Sequence, residues 1–169
     1  MVTKNDFSPA DWNTLRDAPS LVGFATLQAG ASGLGTVKEL FAFSQAIMEN
    51  QASDVPLIRD LTGIGEMQAS QASMKQSFGG EQGKPSPDRL RELALEQVRS
   101  SIAILEGKGS KEETDAYRRM VYGIAEKVAN AASEGGFMGF GGGARVSEGE
   151  QSFLDDLRSA LQLEQVKRA

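Results

Sequence analysis

The run Ser110-Lys111-Glu112-Glu113-Thr114-Asp115-Ala116-Tyr117-Arg118-Arg119-Met120-Val121-Tyr122-Gly123-Ile124-Ala125-Glu126-Lys127-Val128-Ala129-Asn130-Ala131 is the most regular amphipathic pattern in the chain. Tyr117, Met120, Val121, Ile124, Val128 and Ala131 recur at helical spacing and share one face. Ser110 and Glu113 stand in the capping-box relation, in which each side chain satisfies an orphan backbone N–H of the first turn. The segment therefore reads as a helix with one buried stripe.

The same signals recur on both sides of it. Thr36 with Glu39 and Ser147 with Glu150 are two further capping boxes. Ser8-Pro9 and Ser86-Pro87 each set a capping hydroxyl before a proline at the first helical position, where the missing N–H costs nothing. Phe7, Trp12 and Leu15 mark a first helix that should yield near Ala18, because Pro19 disfavours helical geometry in the residue before it. Pro19 would then open a second helix bearing Leu21, Val22, Phe24, Ala25 and Leu27. Ser53 or Asp54 caps a helix running to Phe78, weakened at Gly63 and Gly65 and polar from Gln68 to Ser77. Leu90, Leu93, Ala94, Val98, Ile102 and Leu105 form a stripe that suits either the core or a dimer interface. No segment alternates with period two, so a sheet has no source. The expected fold is all-α, six to seven helices in one domain over 1–169. Its halves, about 8–78 and 86–163, are joined by the glycine- and proline-containing loop 79–85.

Composition removes more chemistry than any motif supplies. The 169 residues contain no cysteine and no histidine. Disulfides, thiolate nucleophiles, Ser-His-Asp triads and histidine-ligated metals are thereby excluded. Acid–base work would fall to Asp, Glu, Lys or Tyr, and metal ligation to oxygen donors. With 18 Lys+Arg against 23 Asp+Glu the formal charge is −5, and the basic residues are scattered, which argues against a nucleic-acid partner. No stretch is long and apolar enough for a transmembrane segment. The beginning Met1-Val2-Thr3-Lys4-Asn5-Asp6 lacks the apolar core of a signal peptide, so a cytoplasmic location is expected.

Two helix–loop–helix units look alike. One passes from Leu21 through Ala29-Gly30-Ala31-Ser32-Gly33 to Thr36 and Glu39; the other from Tyr117 through Ala132-Ser133-Glu134-Gly135-Gly136 to Ser147, Glu148 and Glu150. This arrangement resembles the tellurite-resistance (TerB-like) family of bacterial helical domains over 20–50 and 115–162. That family pairs two such units, each with an acidic glycine loop before a capped helix. The resemblance implies two hairpins packed as a bundle, a stress-response association and a cation held by oxygens, Ca²⁺ or Mg²⁺. Glu39, Glu134, Glu148 and Glu150 are the ligands it would leave here, since Gly30 and Ser32 stand where the family commonly has acids. Asp155 and Asp156 are further oxygen donors nearby. Glu148 and Glu150 also have a plain explanation, because negative charge is favoured in a first helical turn.

The loop Gly135-Gly136-Phe137-Met138-Gly139-Phe140-Gly141-Gly142-Gly143-Ala144-Arg145 is the most unusual segment. It lacks a Gly-Lys-Ser/Thr ending and a preceding strand, so neither nucleotide fingerprint is met. Phe137, Met138 and Phe140 either hook a partner or plug a gap between helices, and the burial tendency of large apolar residues favours the plug. No catalytic residues and no resident cofactor are assigned. The expectation is a non-enzymatic interaction or stress-response module with a protein partner or a second copy of itself. The alternatives are a divalent-cation-binding protein and a carboxylate or metal-dependent enzyme.

Overall fold

The computed structural model describes residues 1–30, 36–79, 85–133 and 146–163. Among them are a short 3₁₀ turn, Lys4–Asp6, and seven α-helices: α1 Pro9–Ala29, α2 Thr36–Asn50, α3 Pro56–Thr62, α4 Ile64–Phe78, α5 Pro87–Lys108, α6 Lys111–Ser133 and α7 Glu148–Ala160. No strand occurs among the described residues, so the all-α expectation holds. The four serine caps at Ser8, Ser86, Ser110 and Ser147 form as expected, whereas neither Ser53 nor Asp54 caps a helix: α3 opens at Pro56 after Val55, with no side-chain cap. Ser8 Oγ accepts from Asp11 N at 3.1 Å and Ser86 Oγ from Arg89 N at 3.2 Å. The Ser110–Glu113 and Ser147–Glu150 boxes both close, with backbone N–H to carboxylate distances of 2.8 Å. The Thr36 side chain, Glu134 and the loop carrying Phe137, Met138 and Phe140 lie outside the described residues.

Helix α1 is the hub, touching each of the other six helices. From Leu15 to Gly23 every residue is buried, so this helix is enclosed on all sides rather than along one stripe. The expected break at Pro19 does not occur: Pro19 sits inside a continuous 21-residue helix. Proline lacks the N–H that would bond the carbonyl four residues back, and its ring crowds that carbonyl. The carbonyl belongs to Leu15. It accepts instead from the hydroxyl of Tyr117, a fully buried residue of α6, at 2.9 Å. On the same turn Thr14 O accepts from Gln97 Nε2 at 3.1 Å and Ser101 Oγ at 3.3 Å, both on α5. Burial raises the Tyr117 hydroxyl well above the usual phenol range, so it stays a neutral donor.

A second boundary also differs from expectation. The helix foreseen to run unbroken to Phe78 is two, α3 and α4, because Gly63 takes an extended ψ of 149° between them. Gln51 Nε2 donates to Thr62 O at 2.8 Å, which satisfies a carbonyl released at that break. The α5 stripe is core: Leu90, Ala94, Val98, Ile102 and Leu105 are buried within the chain, with Leu93 partly covered. Trp12 anchors the beginning of α1, 2% exposed and 5.8 Å from the Phe7 ring. Helix α2 packs chiefly on α6, and α1 on α5, so the two sequence hairpins interleave.

Replacing Tyr117 with Phe should lower stability by about 1–3 kcal/mol, the range for an orphaned buried carbonyl. In a Pro19→Ala background the same change should cost less, because residue 19 then offers its own N–H to Leu15 O. Urea unfolding of the four variants measures that coupling.

Candidate functional site

Two places could carry function: an acidic junction at the beginnings of α2 and α7, and a groove along α1. Glu39 and Glu150 each lie in the first turn of their helix, and both are buried, 3% and 1% exposed. Their charges interact. Burial, and then the Glu150 charge, push the Glu39 carboxyl above the usual glutamate range. Glu150 Oε2 accepts from Ser147 N and Oγ at 2.8 and 2.7 Å, while Oε1 is buried with no hydrogen-bond partner. The junction is tight. A Cβ on Gly30 would fall 2.6 Å from Glu150 Oε1, and one on Gly149 would fall 2.7 Å from the Ala29 carbonyl oxygen. Glycine at both points lets the end of α1 meet the beginning of α7.

Of the four glutamates expected to share a cation, the structure brings Glu39 and Glu150 together. Glu148 is exposed, as are Asp155 and Asp156, and Asp156 is paired with Arg91. Among the described residues no group of three or more Asp or Glu side chains is placed to hold a metal ion. Two carboxylates fall short of the six to eight oxygens that Ca²⁺ takes. The capping glutamate of α6 behaves differently. Burial alone would raise Glu113, but Ser110 N and Val2 N, at 2.8 and 2.7 Å, bond its carboxylate and bring it below the usual range. A third cleft, about 400 Å³ between α2 and α6, mixes Glu49 and Asp54 with Arg119 and Lys127 rather than gathering acids.

The groove was not foreseen. Its floor is one face of α1, Asp17, Leu21, Phe24 and Gln28; its walls are α4 and α5. Two adjoining cavities, of about 430 and 460 Å³, share Met74 and Phe78 of α4 and continue past Leu90 and Leu93 of α5. Helix α4 reaches α1 through polar groups. Ser70 Oγ donates to Ser20 Oγ at 3.0 Å, Ser73 Oγ donates to Asp17 Oδ2 at 3.0 Å, and Ser70 is its only fully buried residue among those described. Asp17 is held by Arg16 at 2.8 Å, and Glu66 by Lys4 at 2.5 Å, with Arg16 at 3.8 Å. Burial would raise Glu66, yet these cations and Trp12 bring it below its ordinary value. The available sequence signal was the pair Met74 and Phe78, four apart where the helix is otherwise polar from Gln68 onward.

No family model, curated protein or solved structure matches this chain. Among the described residues no helix is long and apolar enough to cross a membrane.

The sign of the Glu39 shift yields a pH prediction. A carboxyl that holds its proton more tightly when folded loses stability as pH rises from the unfolded to the folded value, and the penalty is complete above both. Glu39→Gln, which keeps the size of the side chain and removes its charge, should raise the melting temperature at pH 7. Calorimetry should find that gain gone below about pH 4, the ordinary glutamate value.

Proposed function

We propose that this protein is a non-enzymatic interaction module whose α1/α4/α5 groove takes the apolar face of a partner's amphipathic helix. The observation that carries the reading is the pair of adjoining cavities, floored by Leu21 and Phe24 and walled by Met74, Phe78 and Leu93. Apolar anchors at every third or fourth residue of a helix match such a groove. Methionine adapts to anchors of different shape, which suits Met74 to a docking wall. Glu96, exposed at one end, and Lys75, at the other, supply opposite charges that would set the direction of the bound helix.

Selection from a displayed helical-peptide library, with counter-selection on Met74→Arg, tests this. Enriched peptides should carry apolar residues at helical spacing and shift the amide resonances of Leu21, Phe24 and Leu93. Met74→Arg should weaken them at least tenfold, the effect of about 1.4 kcal/mol. Enrichment of nothing, or shifts confined elsewhere, refutes the groove.

A second reading, the cation-binding role implied by the tellurite-resistance resemblance, draws on the unpartnered Glu150 Oε1 beside Glu39. It predicts heat on titration with Ca²⁺, Mg²⁺ or Mn²⁺ that Glu150→Gln abolishes. Titration without heat ends it.

A further inference from the structure

We infer that α2 is a homodimerisation helix, pairing antiparallel with α2 of a second copy through the face it turns away from the bundle. Four of the seven large apolar side chains exposed among the described residues lie there: Val37 at 80%, Leu40 at 48%, Phe41 at 63% and Met48 at 67% exposed. Helical geometry turns about 100° per residue. On that wheel Val37, Phe41, Ser44 and Met48 stand opposite the buried Glu39, Ala42 and Ala46, with buried Ile47 on one flank. The helix therefore has two apolar faces, and the bundle covers one.

A second copy fits because the face is self-complementary. A twofold axis between Ala42 and Phe43 places Val37 against the Met48 position of the other copy and Phe41 against the Ser44 position. Each large ring then meets a small residue. Parallel pairing would instead stack Phe41 on its equivalent and leave a gap at Ser44. Charge agrees as well: the same axis brings Lys38 within one turn of the other copy's Glu49 position, on the same flank, at both ends of the interface. The Glu49 side chain is 66% exposed while bonded to Lys127, so it can accept a second cation. Each copy contributes an apolar patch of several hundred Å², the size at which exposed patches mark interaction sites. Two such patches with their rims approach the roughly 1,000 Å² a specific interface requires. An isologous contact of this kind closes as a dimer and goes no further.

Light scattering after size exclusion should give twice the 18.1 kDa chain mass at 100 µM, on the order of typical weak-dimer conditions. Phe41→Asp, which enters the interface twice, should raise the dissociation constant by roughly 100-fold or more. Val37→Lys serves as the second variant, with circular dichroism confirming its helix content. Register is tested by cysteine pairing, which the absence of native cysteine makes clean. Mixed Val37→Cys and Met48→Cys chains should form a disulfide-linked heterodimer, while Val37→Cys alone should not, since its copies sit about 16 Å apart along the axis. A monomeric wild type overturns the proposal. So does an unchanged mass in a folded Phe41→Asp or Val37→Lys chain, as does cross-linking of Val37→Cys with itself.

Discussion

The carbonyl of Leu15 is the point on which the bundle turns. Proline at position 19 strips it of its helical partner in the middle of the most enclosed helix of the molecule. A buried carbonyl without a partner is expensive, so α1 can run straight through only where another element delivers a donor. Tyr117 does so from α6, and its ring fills the same interior. Gln97 and Ser101 of α5 reach the neighbouring Thr14 carbonyl. Three long helices are thereby fixed in rotation and axial position, because a shift by one residue would carry these donors out of reach. Apolar packing alone tolerates such slips more readily than a hydrogen bond does.

That interaction also explains which parts of the fold were legible. Caps are local: Ser8, Ser86, Ser110 and Ser147 need only residues two or three positions away, and all four behave as read. The apolar stripes of α5 and α6 are likewise a property of spacing. Pro19 was misread because the rule for the residue before proline is local, while its rescue comes from Tyr117, 102 positions away in sequence. Gly63 went the other way. A glycine that only weakens an isolated helix here supplies the bend between α3 and α4, with Gln51 taking up a freed carbonyl. The candidate site was the least legible part. The sequence shows Glu39 and Glu150 each near a helix start, but not that the two charges interact, and nothing local reveals a groove shared by three helices.

Three glutamates in one motif show how far context governs a side chain. Glu113 gathers two backbone donors, one from the distant Val2, and is held as a carboxylate. Glu150 is satisfied at one oxygen and bare at the other, over the close contact of Gly30. Glu39, beside it, is pushed toward its protonated form. Each helix beginning favours negative charge, yet two of them brought together buried cannot both keep it at low cost. Burial, and then the neighbouring Glu150 charge, raise the proton affinity of Glu39 in consequence.

The attachment of α4 accounts for the groove. Met67, Met74 and Phe78 of α4 are half-buried and pack against the core, so part of its seating is apolar. Here Ser70 and Ser73 bond directly to Ser20 and Asp17, and Glu66 is held by Lys4 and Arg16. These bonds hold one edge of α4 on α1, while Met74 and Phe78, packed against the core, also line the cavities beside α5. Hydrogen bonds between buried polar groups contribute little net stability but set geometry strictly. The serines that made this helix look poorly suited to a core therefore help fix where Met74 and Phe78 stand beside the cavities that Leu21, Phe24 and Leu93 also line.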